Sequence, residues 1–126
     1  MTVVLDASAM LAYLQDEPGG EAVEVVLAES VISSVNWAEV VQKSVAAGVV
    51  IDGMREDLEA LGLICAPFTP EDAEMAGRLW LQTRQVGLSL GDRACLSLGM
   101  RLNASVLTSD RIWTTLGLSL DVQVVR

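Results

Sequence analysis

A chain of 126 residues, 52% apolar and only 4% aromatic, is long enough for one domain (1–126) around an aliphatic core of Val, Leu, Ile and Ala. A net charge of −9, from 17 acids and 8 bases, disfavours a broad basic face that grips nucleic acid, and the lack of histidine excludes Ser-His and Cys-His catalysis and a zinc set. With no apolar run near the roughly 20 residues that span a bilayer and no basic stretch at the start, the expectation is a cytoplasmic protein with Cys65 and Cys95 as buried free thiols.

Val3 to Leu5 is a β-branched, aliphatic run that predicts a strand buried on both faces, ending in Asp6. Ala7 to Leu14 then forms a short helix, stopped by Pro18, Gly19 and Gly20. A second helix runs from about Glu21 to Ala28, and Ser30 to Ser33 is a strand. Ser34 or Asn36 caps a helix through about Ala47, with Gly48 at its end. Another helix covers roughly Ile51 to Leu61, and Leu63 to Ala66 is a strand. Thr69 as cap and Pro70 at the first helical position start a helix that continues to about Thr83. Gly87 to Leu90 is a loop, Gly91 to about Leu102 a helix, and Ser105 to Thr108 a strand ending near Asp110. A helical turn at Arg111 to Leu116 and an edge strand at Asp121 to Val125 close the chain.

This alternation calls for a three-layer α/β sandwich: a central, mostly parallel sheet of about five strands with helices on both faces. With the first strand in the middle, ligands gather outside the carboxyl ends of the strands. Asp6 and Asp110 both project there if their strands are neighbours.

Four acids sit at comparable element ends: Asp6, Glu39, Asp92 and Asp110. Each has an ordinary structural explanation. Asp6 and Asp110 suit turns or caps after strands, Asp92 suits a helix dipole, and Glu39, three residues after Asn36, fits a capping box. As a set they say more. If the four converge, any two carboxylates about 4 Å apart repel by about 4 kcal/mol at an effective dielectric near 20. Such a cluster must protonate, disperse or bind cations. Oxygen-only ligands select hard cations, Mg²⁺ or Mn²⁺, which serve phosphodiester hydrolysis.

The segments Val3-Val4-Leu5-Asp6-Ala7-Ser8-Ala9, Asn36-Trp37-Ala38-Glu39-Val40, Leu88 to Leu96 around Gly91-Asp92-Arg93, and Leu107-Thr108-Ser109-Asp110-Arg111-Ile112-Trp113 together resemble a PIN-domain protein. Within that family the chain is similar, over nearly its whole length, to VapC-type toxin ribonucleases of toxin–antitoxin pairs. The resemblance implies a Mg²⁺- or Mn²⁺-dependent endoribonuclease whose metal is held by Asp6, Glu39, Asp92 and Asp110. It implies supporting hydroxyls at Ser8 and at Thr108 or Ser109, and Arg93 and Arg111 as contacts to substrate phosphate. Some relatives carry a further acid just beyond the last one, where this chain has Trp113 and Thr114, so a second metal site lacks that ligand.

The family also implies an RNA substrate, a homodimer and a small antitoxin laid into a groove near the acids. The early helices, with Val23, Val26, Leu27, Val40, Val45, Val49 and Val50, offer such a groove, with core packing as the alternative for most of them. Two readings compete: a receiver-like phosphoacceptor domain, and an inactive PIN-like module binding RNA or protein. Receivers pair acids after the first strand and carry a late lysine, whereas Ala7 follows Asp6 and the only lysine is Lys43 in a helix. A dehalogenase-like phosphatase would want an acid where Ser8 stands, and no Gly-rich run ends in Gly-Lys for a P-loop.

Overall fold

In a computed structural model, which describes residues 1–126, the short aliphatic runs form five strands: β1 (Val3–Leu5), β2 (Ser30–Ser33), β3 (Ile64–Ala66), β4 (Ser105–Thr108) and β5 (Val122–Val124). They pair in the order β3-β2-β1-β4-β5, every pairing parallel. Parallel neighbours require crossovers, supplied by helices everywhere except between β4 and β5: α1 (Ala7–Leu14), α2 (Gly20–Val26), α3 (Ser34–Ala46), α4 (Met54–Ala60), α5 (Pro70–Arg78), α6 (Trp80–Thr83) and α7 (Leu90–Leu102). Short 3₁₀ turns lie at Leu27–Glu29, Arg84–Val86 and Arg111–Thr115.

Strand side chains alternate between faces, so β1 feeds two separate cores. Val3 and Leu5 join Met10, Val23, Ile32 and Val40 on one side. Val4 joins Val31, Val106, Leu96 and Trp113 on the other. Leu5 and Ile32 are fully buried, each contributing about 2 kcal/mol through burial. Trp113 is also core, so that position belongs to packing and not to the acid set.

The structure moves several expected boundaries. The helix expected through Thr83 breaks after Arg78, and α6 resumes at Trp80. The helix expected from Ile51 starts only at Met54, because Gly53 before it is left-handed at φ +81°. The cap of α3 is neither Ser34 nor Asn36: Ser33 Oγ accepts the Val35 N–H at 3.2 Å.

α5 begins as its sequence demands. Thr69 Oγ1 accepts the Asp72 N–H at 3.0 Å and Asp72 Oδ2 accepts the Thr69 N–H at 3.4 Å, a capping box with Pro70 at the first position. Asp72, 3% exposed, also receives two bonds from Arg101 on α7: Nε to Oδ1 at 2.7 Å and Nη2 to Oδ2 at 3.1 Å. Burial alone would raise the Asp72 carboxyl, but the Arg101 guanidinium and the Thr69 N–H outweigh it and hold the group below its ordinary 3.8. Both cysteines are free thiols, Cys95 buried and Cys65 half-buried. No helix is long and apolar enough to cross a membrane.

Candidate active site

β1 and β4 are neighbours, so Asp6 and Asp110 leave the sheet at the same edge, on either side of the chain reversal into α1 and the last 3₁₀ turn. Asp6 is 4% exposed and held by four hydrogen bonds from three donors. Ser8 Oγ donates to Oδ1 at 2.7 Å and to Oδ2 at 2.9 Å, the Ala9 N–H donates to Oδ1 at 2.8 Å, and Thr108 Oγ1 donates to Oδ2. The ordinary explanation is therefore also true, since Asp6 caps α1. It does not account for the energetics. Burial pushes the Asp6 carboxyl from 3.8 up to about 6, against the donors that pull it down, and the Asp92 charge pushes it further.

A small hydroxyl network ties β1 to β4 around this acid. Thr108 Oγ1 accepts the Asp110 N–H at 3.1 Å, and Ser8 Oγ accepts the Ser109 N–H at 3.0 Å. Ser8 and Thr108 thus touch Asp6 through their hydroxyls, while Ser109 takes part through its backbone and not as the expected hydroxyl. The side chain of Asp110 is exposed and caps the 3₁₀ turn, with Oδ1 accepting the Ile112 N–H at 3.0 Å.

Glu39 and Asp92 come from α3 and α7. Glu39 is half-buried, and its Oε1 accepts Asn36 Nδ2 at 2.9 Å. The same amide nitrogen donates to the Gly91 carbonyl at 2.9 Å, which ties α3 to the first turn of α7. The expected Asn36–Glu39 capping box is replaced by this direct side-chain bond one turn inside the helix. Asp92 closes a different capping box, its Oδ2 accepting the Ser89 N–H at 3.0 Å while its own N–H donates to Ser89 Oγ at 3.1 Å.

Three of the acids act electrostatically on Cys95, in α7. Burial pushes its thiol well above the ordinary value, and the charges of Asp6, Asp92 and Glu39 push it the same way. Three of the four acids therefore lie within electrostatic reach of one buried thiol. Such a thiol stays protonated and serves as packing, not as a nucleophile. The carboxylates are spread over their separate hydrogen bonds, and no three share the reach of one ion in this arrangement.

The residues nevertheless suit a hard cation. The donors are carboxylate oxygens throughout, Asp6 is costly to ionise where it lies, and positive charge would relieve that cost. Gly91 leaves a space that a Cβ would fill, and the Glu39 carboxylate occupies it.

The two arginines point elsewhere. Arg93 Nη1 donates to the Ala76 carbonyl of α5 at 2.7 Å, and its buried Nε has no partner. Arg111 Nη2 donates to the Arg126 carbonyl at 3.2 Å. Neither pairs with an acid. The residue that sequence reasoning undervalued is Asn36. Its signal was a polar amide on the apolar side of a helix, one turn before Glu39.

A parallel α/β sheet with acids at the carboxyl ends of its strands puts them where sheets of this class bind ligands. Residues 3–117 match the PIN domain family model, and the chain belongs to that family. Among solved structures it is similar to VapBC-1 from nontypeable Haemophilus influenzae (TM-score 0.72, 17% identity, 98% of both chains). It is similar also to VapBC2 from Rickettsia felis bound to a promoter DNA fragment (0.69, 19%, 98% of both). A toxin–antitoxin complex from Klebsiella pneumoniae matches at 0.69 and 15%, over 86% of this chain and 87% of that one. No curated protein sequence matches.

Proposed function

We propose that this chain is a Mg²⁺- or Mn²⁺-dependent endoribonuclease, the toxin of a VapC-type toxin–antitoxin pair. The observation that carries the reading is a PIN domain in which Asp6 follows the central strand and the Asn36 amide bonds both Glu39 and the Gly91 carbonyl, next to Asp92. Asp6, Glu39 and Asp92 would hold the cation, with Asp110 completing the set from the β4 side. When bound, the cation supplies the positive charge that the phosphodiester and an attacking water require.

The protein's own residues prepare that site. Ser8, Thr108 and the Ala9 N–H fix both oxygens of Asp6, so the carboxylate loses little freedom when it takes up a ligand. Asn36 fixes Glu39, and Ser89 fixes Asp92. A net charge of −9 leaves the bound cation, not a basic face, to meet the RNA phosphates. Membership of the PIN family sets aside the receiver alternative.

The test is cleavage of single-stranded RNA with Mg²⁺ or Mn²⁺, using wild type, Asp6→Asn and Asp92→Asn. Each substitution should lower the rate at least about 100-fold, the scale expected when catalytic charge stabilisation is lost. Equal cleavage by wild type and both variants would sink the proposal, and no cutting by wild type would leave a binding module in its place.

The antitoxin belongs to the same reading. Of the apolar residues expected to form its groove, Val23, Leu27 and Val40 are core, while Val45, Val49 and Val50 are exposed. Val49 and Val50 join Tyr13, Leu14, Met54 and Leu58 around a groove of about 340 Å³ with Asp52 and Asp57 on its rim. An adjoining hollow shares Tyr13 and Leu14 and is edged by Asp16, Glu21 and Glu24. Apolar floor and acidic rim suit a basic amphipathic segment of a partner. Val50→Asp should weaken capture of the cognate antitoxin at least about tenfold, measured by calorimetry, through desolvated charge in the groove. Unchanged affinity would place the antitoxin elsewhere. The homodimer is expected to use the exposed apolar side chains of Trp80, Leu81 and Leu90, and light scattering of Leu81→Asp against wild type tests that placement.

A further inference from the structure

Asn36 is 1% exposed, yet its side chain is only half satisfied. Nδ2 donates to Glu39 Oε1 and to the Gly91 carbonyl, both at 2.9 Å, while the buried Oδ1 has no partner. Flipping the amide would set its oxygen against two acceptors, so the orientation is determined by the partners themselves. A buried carbonyl left without a donor costs stability, a cost that the two bonds of Nδ2 offset. The amide earns its place only through what it holds.

What it holds is the Glu39 carboxylate, pressed against the one backbone position that leaves room for it. A Cβ at Gly91 would overlap Glu39 Oε1 and crowd its Cδ at 2.8 Å, although Gly91 has ordinary helical geometry and needs no glycine for conformational reasons. A glycine inside the first turn of α7 is unfavourable for the helix. Two local penalties, an orphaned carbonyl and a helical glycine, thus meet at one carboxylate.

We infer that Asn36 and Gly91 form a clamp that positions Glu39 for a divalent cation, Asn36 by donating to the carboxylate and Gly91 by admitting it beside Asp92. The inference rests on the cation-dependent reading above and extends it to two residues outside the acid set. Groups that orient a metal-binding carboxylate by hydrogen bonding contribute about 10–100-fold to metal affinity.

Gly91→Ala separates this role from a structural one, because the two predict opposite directions. The side chain that must give way is the flexible end of Glu39, and alanine favours the helix, so the metal-free protein should melt at the same temperature or higher. Its Mn²⁺ affinity, titrated calorimetrically on the full chain, should fall at least about tenfold. Asn36→Leu should show the same loss of Mn²⁺ affinity. If Asn36→Leu fails to fold, Gly91→Ala carries the test alone. Mn²⁺ affinity within about twofold of wild type in Gly91→Ala would overturn the clamp while leaving the cation site standing. Wild type that binds no Mn²⁺, or binds it as well after Asp6→Asn, would instead overturn the cation reading, and the clamp with it.

Discussion

Asp6→Asn should melt several degrees above wild type at pH 7.5 in chelator, while losing metal-dependent RNA cleavage. The gain follows from burial. Ionising Asp6 in the folded chain is unfavourable, with its value raised from 3.8 to about 6. At about 1.4 kcal/mol per tenfold, that is a penalty on the order of 3 kcal/mol at neutral pH. Asparagine keeps an acceptor for the Ala9 N–H and carries no charge.

The pH dependence has a definite sign. Between pH 3.8 and about 6 the folded state holds a proton on Asp6 that the unfolded state has lost. Wild-type stability from this group is therefore full below that window and declines as pH rises through about 6. Asp6→Asn should lack this decline, so the two melting curves should converge near pH 4 and separate by pH 7. Adding Mg²⁺ should raise wild type alone, since a ligand stabilises the state that binds it. A variant that melts lower than wild type at pH 7.5 without metal would show that the carboxylate is a structural asset and not a strained ligand.

Arg101→Met should cost about 2–3 kcal/mol, more than Asp72→Asn. Removing Arg101 leaves a carboxylate that is 3% exposed without its guanidinium. Breaking a buried pair usually costs about 3–5 kcal/mol, reduced here because the Arg101 end is 37% exposed and sees solvent. The reverse deletion leaves a guanidinium that can turn to water, and asparagine keeps part of the capping box. Because pairing depresses Asp72, its contribution is present above the unfolded value and is lost as pH falls through the lower folded one. The gap between wild type and Arg101→Met, read by urea unfolding, should therefore be widest near neutrality and shrink below about pH 3.8. A larger loss from Asp72→Asn would contradict the assigned asymmetry.

Local signals carried most of the fold. The strands Val3–Leu5, Ser30–Ser33 and Ser105–Thr108 stand where β-branched runs placed them, and Thr69-Pro70 with Asp72 opens α5 by chemistry confined to four residues. The acids at element ends were legible for the same reason, since a carboxylate after a buried strand has few places to go. What the sequence hid were bonds between distant segments. Ser33, not Asn36, caps α3, and the Asn36 amide inside that helix is engaged with Gly91, 55 residues away. Arg93 neighbours a proposed ligand yet reaches back to Ala76, 17 residues earlier, and Arg101 finds Asp72 across 29. Composition and periodicity do not encode such pairings. They arise only when α5, α3 and α7 pack together.

The most direct measurement is anomalous diffraction from a crystal of the wild-type protein soaked in Mn²⁺. A manganese peak is expected between Asp6, Glu39 and Asp92, absent from an Asp6→Asn crystal treated identically. Manganese found only away from these carboxylates, in a protein that still cuts RNA, would contradict that expectation.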